Sequence, residues 1–142
     1  MFKGILVPID VNQPSSWEEA LPVAAGLAKA NSAPLHIVNV VPTFGMPIVG
    51  GFFPEGFEKK ALAHAKEALE KVAADANLEG VKTEIHVAHG TIYEEVIAAA
   101  DKLDVDLIVM TAHRPELQDY LLGPNASRVV RHAKQSVFVV RQ

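Results

Sequence analysis

The sequence contains no cysteine among its 142 residues. This absence excludes a disulfide-linked scaffold, a zinc site built on thiolates and catalysis by a thiol. Aromatic residues make up only 6% of the chain and include a single tryptophan. Basic residues are outnumbered, and the formal net charge is −4. Because nucleic-acid binding depends on basic groups that displace counterions from phosphates, we expect no nucleic-acid partner.

Long apolar runs and several well-known signatures are also missing. No segment approaches the roughly 18 consecutive apolar residues that predict a membrane-spanning helix. The N-terminal segment 1–7 has neither the length nor the small-residue cleavage site of a signal peptide. There is no P-loop motif, no Gly-x-Ser-x-Gly elbow, and no Gly-x-Gly-x-x-Gly motif after the first predicted strand. We therefore expect a cytoplasmic protein with no membrane partner.

The remaining composition, 49% hydrophobic and 21% charged, is typical of a globular domain, and the length predicts one domain spanning residues 1–142. Short apolar segments alternate with helical ones. The predicted strands are 5–10, 35–41, 81–87, 107–110 and 137–140, and the predicted helices are 16–30, 57–76, 91–103 and 125–133. This alternation predicts an α/β domain with an open five-stranded, mostly parallel sheet and helices on both faces.

Two helix starts and one long loop are predicted from local motifs. Ser16 with Glu19, and Thr91 with Glu94, have the capping-box spacing, in which a hydroxyl and a carboxylate satisfy N–H groups at a helix start. Residues 42–56 contain three prolines and four glycines. They predict a loop of about 15 residues, a length that is usually associated with function or mobility.

Candidate binding residues lie at the predicted strand ends. Ligands of open parallel sheets bind beyond the carboxyl ends of the strands, where the strand order reverses. Segments 8–10, 40–42, 88–90 and 111–114 are such ends, and they supply a carboxylate, a glycine and a guanidinium. Further on, Gly123 precedes a helix start whose N–H groups would bind a phosphate. The spacing leaves open the alternative that Gly123 is an ordinary loop glycine.

The chain resembles the universal stress protein family along essentially its full length. The resemblance rests on six segments: 3–10 (KGILVPID), 38–41 (VNVV), 89–90 (HG), 108–115 (IVMTAHRP), 121–126 (LLGPNA) and 136–141 (SVFVVR). The last three, in this order, look like the subgroup lettered F and G in enteric bacteria. The resemblance implies a Rossmann-like fold of the adenine nucleotide alpha hydrolase type.

Family members with a competent site bind ATP through a pattern of Gly, two residues, Gly, nine residues, Gly and then Ser or Thr. Here Thr111 replaces the first glycine, Arg114 the second and Pro124 the final hydroxyl residue, and eight residues separate Arg114 from Gly123. A loop without glycines keeps its backbone farther from the phosphates, whereas Arg114 can reach them with a charged fork. The F and G subgroup varies similarly and is still associated with adenine nucleotides.

The resemblance therefore implies an adenine-nucleotide site for ATP or AMP, with Mg²⁺ arriving on the nucleotide. The implied site residues are Pro8, Ile9, Asp10, Val40, Gly90, Met110, Thr111, His113, Arg114, Gly123, Asn125, Ala126 and Ser127. Asp10 would lie near the ribose or the magnesium ion, the backbone of Val40 would meet the adenine edge, and residues 123–127 would hold phosphates. The plainer alternatives are that Asp10 is a turn carboxylate and His113 a solvated loop residue.

The six histidines do not predict a second, structural metal site. His86 and His89 lie three residues apart on one strand, which turns them to opposite faces. His36, His64 and His132 belong to separate predicted elements with no acid at a zinc-ligand spacing. We expect Asp10 to be the one metal contact, through the nucleotide.

The leading hypothesis is a dimeric stress-response sensor or adaptor that binds an adenine nucleotide and is not a turnover enzyme. One alternative is a slow ATPase or self-phosphorylating protein, although no side chain is identified as its base. Another is a dimerisation module that does not bind nucleotides. The homodimer is expected to form through the apolar last strand, since family dimers commonly pair it. That strand consists of Val137, Phe138, Val139 and Val140.

Overall fold

The computed structural model describes residues 1–42, 57–112 and 124–141, apart from the side chains of residues 57 and 58. The predicted loop at 42–56 therefore lies almost wholly outside the described residues. Strands and helices alternate in the order β1 (Ile5–Ile9), α1 (Ala20–Asn31), β2 (Leu35–Pro42), α2 (Phe57–Asp75), β3 (Thr83–Gly90), α3 (Ile92–Lys102), β4 (Leu107–Ala112), α4 (Pro124–His132) and β5 (Ser136–Arg141). A single 3-10 turn, Pro14–Ser16, precedes α1.

The five strands form one sheet in the order β3-β2-β1-β4-β5. All four pairings are parallel, which confirms the predicted sheet. The chain adds β2 and β3 on one side of β1 and then crosses to add β4 and β5 on the other. The strand order therefore reverses between β1 and β4, at the centre of the sheet.

The two faces of the sheet carry separate cores. Because successive residues of a strand point to opposite faces, Val7 packs with α1 and α2, whereas its neighbour Leu6 packs with α3 and α4. All five residues of β1 are buried. This burial on both faces explains why the strand is a continuous apolar run rather than an alternating one.

The start of α1 differs from the capping-box prediction. The helix begins at Ala20, and Glu19 at its N-cap position makes no side-chain capping bond. Ser16 is fully buried instead. Its hydroxyl accepts a 2.9 Å hydrogen bond from the N–H of Asp10 and donates one of 2.7 Å to the carbonyl of Gln13. The prediction for Ser16 is wrong because tertiary contacts occupy this hydroxyl.

Other boundaries shift slightly. α3 follows Thr91 as predicted, but the Thr91 side chain makes no capping bond. β3 extends to Gly90, three residues beyond the predicted end, because its pairing with β2 continues to the pair Pro42–Gly90. None of the helices in the three described ranges is both long and apolar enough to cross a bilayer.

Candidate functional site

The candidate site lies at the carboxyl end of β1, on the side of β2 and next to the point where β1 and β4 separate. Their pairing consists of two residue pairs, Ile5 with Leu107 and Leu6 with Ile108. Pro8 follows two residues later, and it has no N–H to donate to a neighbouring strand. The carboxyl ends of these two central strands are thus joined through the segment that follows β1 rather than through a continued ladder.

Hydrogen bonds of Ser16 connect that segment to both strands. Its hydroxyl is bonded to the main chain of Asp10, just after β1. Its carbonyl accepts a 3.1 Å hydrogen bond from the Oγ1 atom of Thr111 on β4. Ser16 and Thr111 are both fully buried. Buried hydrogen bonds of this kind hold their groups in a fixed geometry, so the turn from residue 10 to residue 16 is tied down at both ends.

Asp10 lies at the head of this turn. Its Oδ1 atom accepts a 2.9 Å hydrogen bond from the N–H of Asn12, the pattern of an Asx turn. The next residue, Val11, donates its N–H to Oδ1 of Asn39 on β2 at 3.1 Å. The carboxylate of Asp10 is therefore positioned at the end of β1, beside the end of β2.

A cavity of about 400 Å³ opens at this position. Its walls are the turn after β1, the end of β2, one side of α2 and the start of α3. The lining residues are Ile9, Asp10, Val11, Asn12, Gln13, Asn39, Val40, Val41, Pro42, Ala61, His64, Ala65 and Ile92. Small-molecule sites usually measure roughly 300–1,000 Å³, so the cavity has room for a small ligand.

The end of β2 presents main chain to the cavity. Pairing between β1 and β2 ends at Ile9 with Asn39. β2 continues through Val40 to Pro42 and pairs on its other side with β3. On the side of β2 where the pairing with β1 has ended, this extension borders the cavity. Of the described lining residues, none is a lysine or an arginine, and Asp10 supplies a carboxylate.

Three of the predicted site residues, Ile9, Asp10 and Val40, meet in this cavity. Pro8 is buried within β1. Met110 is fully buried among the residues that pack against α3 and α4. Thr111 serves as the anchor for Ser16 described above.

The backbone angle of Gly90 and its closeness to α3 explain why this position is a glycine. Its φ angle is +146°, in the range that residues with a side chain rarely adopt. A Cβ atom at this position would lie 2.7 Å from Oε1 of Glu95. Glycine is favoured here chiefly by this φ angle, and Gly90 is not among the residues that line the cavity.

The predicted phosphate-binding residues are only partly described. Asn125, Ala126 and Ser127 lie in the first turn of α4. Ala126 is buried against the sheet, whereas Ser127 is exposed. The remaining predicted residues, His113, Arg114 and Gly123, lie outside the described residues.

Sequence reasoning missed the contribution of α2 and of Asn39. Ala61 and Ala65 are one helical turn apart, and with His64 they form the wall opposite the strand ends. Asn39 is a buried polar residue, 4% exposed, inside a mostly apolar strand. Such a residue needs a hydrogen-bond partner, which is the signal that would have identified it.

A second, larger groove of about 660 Å³ lies between α1 and α2. Trp17, Leu21 and Val72 are among its lining residues, with charged side chains of both signs. Apart from Val11, which both cavities share, it is formed away from the strand ends. The smaller cavity is the better candidate, because ligands of open parallel sheets bind at the carboxyl ends of the strands where their order reverses.

The structure is that of a small parallel α/β domain with a cavity at the carboxyl ends of β1 and β2, beside the switch point of the sheet. The model of the Universal stress protein family matches residues 1–141. Universal stress protein G from Shigella flexneri is 30% identical over 143 aligned positions, which cover 99% of this chain and 100% of that protein. The chain belongs to the universal stress protein family.

Solved structures with this fold include proteins with bound nucleotides. The structure of the hypothetical protein MJ0577 aligns with this chain at a TM-score of 0.73 and 26% sequence identity. The alignment covers 100% of this chain and 97% of MJ0577. A universal stress protein in complex with cAMP has a TM-score of 0.61 at 22% identity, covering 99% of this chain and 97% of its own. One from Archaeoglobus fulgidus in complex with dAMP also has a TM-score of 0.61 at 22% identity, covering 96% of each chain.

Proposed function

We propose that this protein binds an adenine nucleotide in the strand-end cavity and acts as a dimeric stress-response sensor or adaptor. The observation that carries the proposal is the position of Asp10, whose carboxylate lies at the end of β1 beside the part of β2 that extends beyond its pairing with β1. The dAMP and cAMP complexes of other family members favour the same class of ligand.

Each part of a nucleoside has a suitable partner in the cavity. The base is flat and apolar with polar edges, and it would lie between apolar walls such as Val41 and Ala65. Its polar edge would meet the main chain of Val40. The ribose hydroxyls would donate to the carboxylate of Asp10, an acceptor that is held in place by the Asx turn.

The phosphates would leave the cavity toward α4. Because the described lining residues include no lysine or arginine, phosphate charge must be met elsewhere. The N–H groups at the start of α4 and the side chain of Arg114 are our candidates for this role. With ATP as ligand, Mg²⁺ would be held mainly by phosphates and water, with Asp10 as its protein ligand.

The experiment is isothermal titration calorimetry with AMP on two variants, in each of which one alanine of α2 is replaced by leucine. Ala61 lines the cavity, whereas Ala63 is exposed on the same helix. Ala61→Leu would place three more carbon atoms in the cavity, so we expect AMP affinity to fall at least about tenfold, the equivalent of about 1.4 kcal/mol. Ala63→Leu is the matched control and should bind AMP as the wild type does.

The result that overturns the proposal is equal AMP affinity for Ala61→Leu and Ala63→Leu, because the ligand would then occupy another place. Failure of the wild type to bind AMP, ATP or adenosine would leave the dimerisation module as the better description. Native mass spectrometry of protein purified without added nucleotide provides an independent measurement, with a mass increase of one nucleotide per chain expected.

A further inference from the structure

His36, Glu84 and His86 converge on one face of the sheet. Nδ1 of His36 lies 2.9 Å from Nε2 of His86, and Oε2 of Glu84 lies 3.4 Å and 4.0 Å from these two nitrogens. The sequence pattern assigns His36 to a separate element and does not bring it together with Glu84 and His86. The parallel register sets His36 beside Glu84 on the adjacent strand, and His86 follows Glu84 by two residues on the same face.

The cluster lies far from the nucleotide cavity. His36 is the second residue of β2, and the part of β2 that lines the cavity begins at Asn39, about 10 Å along the strand at roughly 3.3 Å per residue. The cluster also faces α3, since His36 and Val38 share a face of β2 and Val38 packs against that layer. None of the three side chains lines that cavity, so the cluster is separate from the site proposed above.

The three side chains differ in exposure in a way that suits a metal site. The His36 side chain is 9% exposed, that of His86 30% and that of Glu84 51%. His36 is therefore a fixed ligand from the sheet, while Glu84 is free to adjust its position. The open side toward Glu84 leaves room for water to complete the coordination, as in sites with three protein ligands.

The separations between ligand atoms match those around a transition metal. Zinc–nitrogen bonds of about 2.0–2.1 Å at tetrahedral angles place neighbouring ligand atoms roughly 3.3–3.4 Å apart. The distances of 2.9, 3.4 and 4.0 Å bracket this value. A small outward shift of one imidazole and a rotation of the exposed Glu84 side chain would make the three distances between ligand atoms equal.

Electrostatics also favour the form of the histidines that binds metals. Burial lowers the pKa of His36, and the adjacent His86 lowers it further against the opposing effect of Glu84. Burial likewise lowers the pKa of His86. A neutral imidazole has a lone pair on one ring nitrogen, and this is the form that binds a metal. Without a metal, the same geometry is a hydrogen bond between the two rings.

We propose that His36, Glu84 and His86 form a binding site for one divalent transition-metal cation of the Zn²⁺ or Co²⁺ type. Two imidazole nitrogens and one carboxylate oxygen select such ions over Mg²⁺, which prefers oxygen ligands. The bound ion would join the edge strand β3 to β2. Because it would bind the folded chain, it would raise the stability of the protein.

The test is a titration of the nucleotide-free protein with Co²⁺, followed by visible absorption, and with Zn²⁺, followed by calorimetry and thermal unfolding. We expect one ion per chain and a Zn²⁺-dependent rise in melting temperature. His86→Gln and Glu84→Gln should each weaken Zn²⁺ binding at least about tenfold, because even outer-sphere partners of metal ligands are commonly worth 10–100-fold. Both replaced side chains are partly exposed, so these variants are expected to fold.

The matched control is His89→Gln, on the same strand but on the opposite face. It should retain one Zn²⁺ per chain with wild-type affinity. The proposal is overturned if His86→Gln binds Zn²⁺ as tightly as the wild type, or if His89→Gln loses the ion. It is also overturned if equimolar Mg²⁺ displaces Co²⁺, which would assign the ion to oxygen ligands elsewhere.

Discussion

The Oγ1 atom of Thr111 donates a 3.1 Å hydrogen bond to the main-chain carbonyl of Ser16, 95 residues earlier in the chain. This bond lies beyond the point where the pairing between β1 and β4 ends, and it joins β4 to the 3-10 turn that follows β1. It connects β4 to the turn that carries Asp10, which Ser16 holds from the other side. The shape of the candidate site thus depends on a strand that contributes none of the described lining residues.

Thr111→Val should destabilise the protein and weaken nucleotide binding together. Valine has the same shape as threonine but cannot donate, so a buried carbonyl at Ser16 would lose its partner. We expect a loss of about 1–3 kcal/mol in the free energy of unfolding. Urea denaturation measures the loss. Thr91→Val is the control, since Thr91 is exposed and makes no capping bond, and its effect should stay within about 0.5 kcal/mol.

Gly90→Ala and Gly26→Ala should change stability in opposite directions. At Gly90 the added Cβ would meet Glu95 at 2.7 Å on a backbone with φ of +146°, so a loss of about 1–3 kcal/mol is expected. At Gly26, within α1, nothing lies within 4 Å of the added atom. Alanine there should stabilise the helix by about 0.5–1 kcal/mol. Thermal unfolding of both variants checks the contrast, and a neutral Gly90→Ala would contradict it.

Asp106 should make stability depend on acid pH. Its carboxylate accepts hydrogen bonds of 3.0–3.2 Å from the N–H groups of Lys3 and Gly4. Burial alone would raise the pKa of Asp106, but these bonds and the Lys3 charge outweigh it and hold the pKa below its ordinary value of 3.8. The stabilisation is therefore complete well above pH 3.8 and is lost as the pH falls through the lowered value.

The measurement for Asp106 is the free energy of unfolding from pH 7 to pH 2 for the wild type, Asp106→Ala and Asp106→Asn. The wild type should exceed both variants near neutrality, and the differences should shrink in acid. If the wild type and Asp106→Ala differ in free energy of unfolding by the same amount from pH 7 to pH 2, the charge of the carboxylate does not contribute to stability.

Arg114→Ala should weaken ATP binding more than adenosine binding, since a guanidinium acts on phosphate charge. We expect a selective loss of about 1.5–3 kcal/mol, the range for hydrogen bonds to charged groups. Calorimetry with both ligands gives the difference. Arg131→Ala, an exposed arginine in the last turn of α4, is the control for lost positive charge. Equal losses for ATP and adenosine would place Arg114 away from the phosphates.

Phe138→Glu should convert the proposed dimer to a monomer. β5 is an edge strand, and Phe138 on it is 44% exposed, although it is a large apolar residue. Pairing β5 with its copy would cover this ring, and a carboxylate there would be costly to bury. Val130→Glu adds the same charge at a site on α4 that is 52% exposed. Light scattering should report a monomer for Phe138→Glu alone; a persistent dimer would assign the interface to another surface.

The sequence by itself determined the elements, the parallel architecture and the edge of the sheet where the candidate cavity lies. The apolar run from residue 5 to residue 9 identifies a strand buried on both faces. Regular alternation with helices then requires parallel crossovers, which bring carboxyl ends such as Asp10 and Val40 together. These are consequences of local periodicity, which can be read from residues close together in the chain.

Only the tertiary structure decided the partners of the polar side chains. Ser16 and Glu19 have the spacing of a helix cap, yet the hydroxyl of Ser16 bonds to Asp10 and Gln13. His36 and His86 are 50 residues apart and meet because β2 and β3 pair in one particular register. A register shifted by one residue would turn one of them to the other face, and no local pattern specifies that choice. Strand order and register, set by the packing of the whole core, therefore determine what these side chains contact.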